Sequence, residues 1–67
     1  MEYNIGTDDA PFIVILKLVD NNLVALDVDR NIIWQTLGNP ACKDKPSIFT
    51  SMDDALQYFV SHYTRNI

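Results

Sequence analysis

The sequence predicts an α+β domain, a three-stranded antiparallel β-meander with one C-terminal helix packed on one face (βββα). Three observations predict it. Residues 12–37 hold three runs rich in β-branched and aromatic residues, separated by Asp20-Asn21-Asn22 and Asp29-Arg30-Asn31. Runs of that composition bounded by turn formers read as strands joined by hairpins. Residues 51–65 carry apolar side chains at helical period behind an N-cap signature. At 67 residues and 48 % apolar, the chain suffices for one domain and is too apolar for disorder. The expected organisation is a single domain over 1–67. Residues 1–10 form an edge strand or a tail, 11–37 the sheet, 38–49 a loop and 51–65 the helix.

The first strand is Phe12 to Val19, entered through Pro11 and left through the Asp-Asn-Asn turn. Leu23 to Val28 follows, and Ile32 to Leu37 makes a third strand ended by Gly38-Asn39-Pro40. Three-residue turns at both hairpins set Leu16 opposite Leu26 and Val14 opposite Val28. Phe12, Val14, Leu16, Leu18, Val24, Leu26, Val28, Ile32 and Trp34 then share one face. A two-residue loop at the first turn, pairing Lys17 with Leu26 and Leu16 with Asp27, mixes the faces, because a one-step slip flips every side chain. Asn31 is the residue expected to take the left-handed conformation in the second turn. Tyr3 and Ile5 are at strand spacing and allow a short edge strand before Pro11.

The helix is the clearest signal. Thr50 and Ser51 are both N-cap types, each followed three residues later by an acid, Asp53 or Asp54. Acids in the first turn also suit the helix dipole. Met52, Ala55, Leu56, Phe59, Val60 and Tyr63 form the apolar stripe.

The opposite sheet face is expected to show Ile13, Ile15, Lys17, Val19, Leu23, Ala25, Asp27, Ile33, Gln35 and Leu37. A free face of an antiparallel sheet is ordinarily polar, and here most positions are apolar. A patch of that kind marks an interface. Small size argues likewise, since so short a chain has little core to oppose its conformational entropy. A homodimer is the favoured form of this interface, through the sheet face or through strand edges.

Other function classes find little support. Nine Asp+Glu against five Lys+Arg, with a pI near 4.4, disfavour a nucleic-acid binder held by a basic surface. A small nucleic-acid-binding or transcription-regulatory protein, using Arg30, Lys43 and Lys45, is the competing class. No run approaches the ~18 apolar residues of a membrane helix. No basic region precedes the first apolar run, and no Asn-X-Ser/Thr occurs. The chain therefore reads as cytoplasmic, with Cys42 a reduced thiol. Asp27-Val-Asp-Arg-Asn31 begins like a calcium loop, but Ile32 and Gly38 stand where Gly and Glu are needed. Gly6 and Gly38 are too far apart for a phosphate-cradling loop. Asp53 and Asp54 point about 100° apart on a helix, which does not suit paired-carboxylate chemistry. Cys42 and His62 are the one nucleophile–base pairing available, without an oxyanion loop to serve it. No enzyme activity, cofactor, metal or small-molecule substrate is expected.

The length, acidity and βββα plan resemble phage-encoded inhibitors of host defence or transcription, and small antitoxin-like modules, in architecture alone. The expected function is a non-enzymatic protein-interaction module acting by steric occlusion or bridging of a protein partner. Its candidate contacts are Ile13, Ile15, Val19, Leu23, Ile33 and Leu37 on the sheet face, or Cys42, Lys43 and Lys45 if the 38–49 loop is the recognition element.

Overall fold

The computed structural model describes residues 1–63. It is an α+β fold with an antiparallel sheet of four strands rather than three, in the order β1-β2-β3-β4. The strands are β1 (Glu2–Asn4), β2 (Ile13–Val19), β3 (Asn22–Leu26) and β4 (Ile32–Gln35). A short 3-10 turn (Pro40–Cys42) and the helix α1 (Met52–His62) follow.

The additional strand is β1, which pairs Tyr3 with Val14 at the sheet edge. Its return to β2 is a tightly bonded turn. Asn4 Oδ1 accepts from the backbone N–H groups of Gly6 (2.9 Å) and Phe12 (3.0 Å), and Thr7 Oγ1 accepts from Ala10 N–H at 3.0 Å. Glycine is required at position 6, because a Cβ there would stand 2.3 Å from the Ala10 carbonyl oxygen.

The first hairpin turns on two residues, Asp20 and Asn21, both at positive φ (52° and 64°). That is the type I′ pattern, whose twist matches the strands and which Asp and Asn tolerate. The loop lies one position earlier than the two-residue alternative read from the sequence, so Leu16 pairs with Ala25 and Ile15 with Leu26. The faces of β3 are thereby exchanged. Leu23 and Ala25, expected outside, have no exposed surface and form core with Val14 and Leu16. Val24 and Leu26, expected inside, take the other face.

The second hairpin has the three-residue loop expected, but placed at Val28-Asp29-Arg30. Arg30 adopts the left-handed conformation (φ 68°) in place of Asn31. Asn31 is otherwise engaged: its N–H and Nδ2 donate to the Asp27 carboxylate at 2.9 and 3.2 Å. A bulge follows, since Ala25 pairs with Trp34 and Leu26 with Ile32. The extra residue, Ile33, packs against the core together with Trp34. Val28 and Ile32, expected in the core, are 67 % and 59 % exposed.

Ser51, not Thr50, caps α1, its Oγ accepting from Asp54 N–H at 3.2 Å. The helix ends at His62, three residues short of the expected end; positions 64 and 65 lie outside the described residues. Ala55, Tyr58 and Phe59 are its buried residues, whereas Val60 is 53 % exposed. The buried stripe is thus rotated toward Tyr58. The reason is the 38–49 segment, which is a packed strap that covers that flank: Cys42 and Phe49 are 3 % and 2 % exposed. Phe49 meets Tyr58 edge-on at 5.5 Å between ring centroids. Trp34 meets Phe59 at 5.4 Å and Tyr63 at 6.4 Å in the same manner.

Truncation of Phe59, only 1 % exposed, removes the ring that joins helix to sheet. Phe59→Ala is expected to cost ~3–5 kcal/mol, enough to abolish cooperative melting in a domain of this size. Circular dichroism melting checks this, and a midpoint within a few degrees of wild type contradicts helix-on-sheet packing.

Candidate functional site

Two features stand out from the residues upward: the sheet face that α1 leaves open, and a polar cluster where the strap meets α1. Strand alternation and the register put Ile13, Ile15, Lys17 and Val19 of β2, Asn22, Val24 and Leu26 of β3, and Ile32 and Gln35 of β4 on the open face, with Glu2 and Asn4 of β1 beside them. Ile13, Ile15, Val24 and Leu26 are partly exposed. Val19 and Ile32 are more than half exposed, at 52 % and 59 %. Lys17 pairs with Val24 across the strands, and Glu2 sits beside Ile15. The surface is an apolar strip of Ile13, Ile15, Leu26 and Ile32, bordered by Glu2 and Asn4 along β1 and by Lys17, Asn22 and Gln35 toward the other end of the strands.

Among the residues read from the sequence as contacts, Ile13, Ile15 and Val19 occupy this face. Leu23 does not: it is fully buried against the core. Ile33 also turns to the core through the bulge. Leu37 is 65 % exposed, beyond the end of β4. In the strap, Lys43 is exposed, but Cys42 is buried and offers nothing to a partner. Lys45 folds back, its ammonium donating to the Pro46 and Ser47 carbonyls at 3.2 and 3.3 Å and lying 5.8 Å from the Phe49 ring centre. Cys42 and Lys45 are therefore engaged within the chain, while Lys43 and Ile48 stay on the strap's outer surface. Val24, Leu26 and Ile32 are face residues that the sequence reading placed inside.

The polar cluster joins residues far apart in sequence. Tyr58 Oη donates to Asp44 Oδ1 at 2.9 Å, while His62 Nε2 lies 3.2 Å from Asp44 Oδ2. His62 Nδ1 lies 3.0 Å from the Tyr58 carbonyl oxygen, and the imidazole stacks on the Tyr58 ring at 3.8 Å. Both ring nitrogens thus face acceptors, and only the imidazolium donates to both. The bond to Asp44 accordingly raises the His62 pKa above its ordinary 6.5. The Tyr58 hydroxyl, followed by His62, holds the Asp44 carboxyl below 3.8. Burial, reinforced by Asp44, pushes the Tyr58 phenol up. Burial also raises the Cys42 thiol, with partial opposition from the Tyr58 hydroxyl.

These directions describe a latch. An activated nucleophile needs a lowered pKa or a free base beside it. Here the thiol and phenol are held protonated, and both His62 nitrogens are already occupied. Tyr58 and His62 stand at i and i+4, the spacing that brings side chains together on one helix face. That spacing was the one trace of the cluster visible in the sequence. Among the described residues no group of three or more His, Cys, Asp or Glu could hold a metal ion, and no helix is long and apolar enough to cross a membrane.

No family model, curated protein or solved structure matches the chain.

The latch has a pH signature. His62, with its folded pKa raised, stabilises fully below pH 6.5, and the contribution is lost as pH rises through the raised value. Asp44, with its pKa lowered, stabilises fully above pH 3.8, and the contribution is lost as pH falls through the lowered value. Melting midpoints of wild type are expected to be highest between those limits and to fall on the alkaline side. His62→Gln should remove the alkaline fall. Identical profiles for both proteins up to about pH 7.5, about one unit below the ordinary thiol pKa, contradict the latch.

Proposed function

We propose that this chain is a non-enzymatic protein-interaction module that docks through the open face of its sheet, with a second copy of itself as the first occupant. The observation that carries the reading is the apolar surface of Ile13, Ile15, Val24, Leu26 and Ile32, which lies on the side of the sheet away from α1. Antiparallel sheets with a solvated face ordinarily alternate apolar and polar residues. A stable interface takes ~800 Å² from each partner, on the order of a sixth of this chain's 4684 Å² of accessible surface. One broad face of a two-layer domain is of that scale.

A second copy is favoured because an apolar strip with a polar border is self-complementary across a two-fold axis, the arrangement of isologous contacts. The net charge of −4 does not oppose it at the face itself, where Lys17 and Glu2 are the charged strand residues. Steric occlusion of a further protein, as in a phage-type inhibitor, is the finer reading, and it rests on size, acidity and plan. The latched strap supports interaction over catalysis, since its groups bond to one another.

Light scattering behind size exclusion, over roughly 5–200 μM, tests the reading. Wild type is expected near ~15 kDa, twice the chain mass of 7.6 kDa. Ile15→Glu should dissociate it to monomer while retaining a cooperative melt, and Lys43→Glu should leave it dimeric. A monomeric wild type across the range contradicts self-association through the face.

A further inference from the structure

The two edges of the sheet are finished differently. At β4, a bulge at Leu26/Ile32 interrupts the ladder, and the Gln35 carbonyl, which faces the free edge, accepts from Asn39 Nδ2 at 3.1 Å. Bulges and side-chain caps of this kind blunt an edge against strand addition. At β1, a three-residue strand with one acid, Glu2, the ladder has neither a bulge nor a side-chain cap on its outward groups among the described residues. Leu16 and Met1 exchange hydrogen bonds at 2.7 and 3.1 Å, and Ile5 N–H donates to the Phe12 carbonyl at 2.9 Å. Alternation of the antiparallel ladder therefore turns Met1, Tyr3 and Ile5 toward β2, and turns the backbone groups of Glu2 and Asn4 outward.

Beside that outward edge runs a groove of about 300 Å³, between β1 and α1, lined by Tyr3, Asn4, Ile5, Gly6 and by Phe59, Val60 and Tyr63. Val60 is more than half exposed there, although it belongs to the helical stripe by sequence. Two N–H and two C=O groups spaced by one strand repeat, next to an apolar trough, are the elements of strand-addition recognition. Main-chain bonds supply affinity, and alternate side chains of the added strand enter the trough. Charge selects the occupant. The first sixteen residues contain Glu2, Asp8 and Asp9 and no Lys or Arg, the Met1 amino group being turned to the Leu16 carbonyl. Pairing β1 with β1 of a second copy would bring two such acidic segments together, which is unfavourable.

The geometry points to β1 as an acceptor for an extended, basic peptide segment of a partner protein, its alternate apolar side chains entering the groove between β1 and α1. This surface is separate from the open face, so the fate of Ile15→Glu in light scattering does not bear on it.

The test pans a library of random ten-residue peptides on the intact chain and measures the enriched peptides by fluorescence anisotropy. Enriched sequences are expected to carry apolar residues at i and i+2 among Lys or Arg, and to protect the Glu2 and Asn4 amides from hydrogen exchange. Glu2→Pro, which deletes an outward N–H that β2 does not use, and Val60→Asp, at an exposed position, should each weaken binding at least ~10-fold. Both should keep the wild-type melt. Failure to enrich any peptide, enrichment of acidic ones, or equal binding by both variants overturns the inference. So does a wild-type dimer that Val60→Asp dissociates, because a second copy would then hold the groove.

Discussion

The structure depends on one tight turn. Asp20 and Asn21, both in the left-handed region, close β2 onto β3 with two residues and so fix which side of β3 is buried. Because side-chain direction alternates with period two, that choice decides every neighbour of β3 at once. It sends Leu23 and Ala25 to the helix and leaves Val24 and Leu26 beside Ile13 and Ile15. The turn also anchors the strap. Asn21 accepts the Phe49 N–H through its carbonyl at 3.0 Å and donates from Nδ2 to the Phe49 carbonyl at 3.1 Å. Phe49 is thereby held under Tyr58, and the strap's inner end is tied to the same two residues that set the sheet register.

From there the consequences run outward. A strap fixed at Phe49 and at Cys42 brings Asp44 over the end of α1, where it meets Tyr58 and His62. Thr36 ties the strap's other end, its Oγ1 accepting from Leu23 N–H at 3.1 Å where β4 leaves the ladder. With one face of the sheet covered by α1 and the strap, Asn39, Asp44 and Lys45 of the strap engage their side-chain polar groups in bonds within the chain. Among the described residues, the parts of the sheet left without internal partners are its open face and the outer edge of β1. The division between satisfied and unsatisfied surface is the physical basis for reading the chain as an interaction module.

Part of this was legible in the residues. The capping signal at Ser51 with acids behind it, the strands β2 to β4, helix-on-sheet packing and an apolar second face all follow from composition and period. The register did not follow, because Leu23-Val24-Ala25-Leu26 is apolar on both sides and a slip leaves no polar residue buried. β1 was legible only as one of two alternatives, an edge strand or a tail, because Tyr3 and Ile5 at strand spacing are too short a run to decide, and the Asn4 and Gly6 turn that ties it to β2 is not a periodic signal. The polar cluster was hidden by distance, since Asp44 and His62 are 18 positions apart. The burial of Tyr58 is not visible in the helical period, because the strap that buries it is not a periodic element.

Intermolecular nuclear Overhauser contacts in a mixed sample of labelled and unlabelled chain test the central claim most directly. They report both which residues β3 turns outward and what covers them. Contacts across the interface at the methyl groups of Ile13, Ile15, Val24 and Leu26, with none at Leu23, are the predicted result. Contacts at Leu23 and Ala25 in their place would contradict the two-residue turn, and contacts confined to other surfaces would contradict docking through the open face.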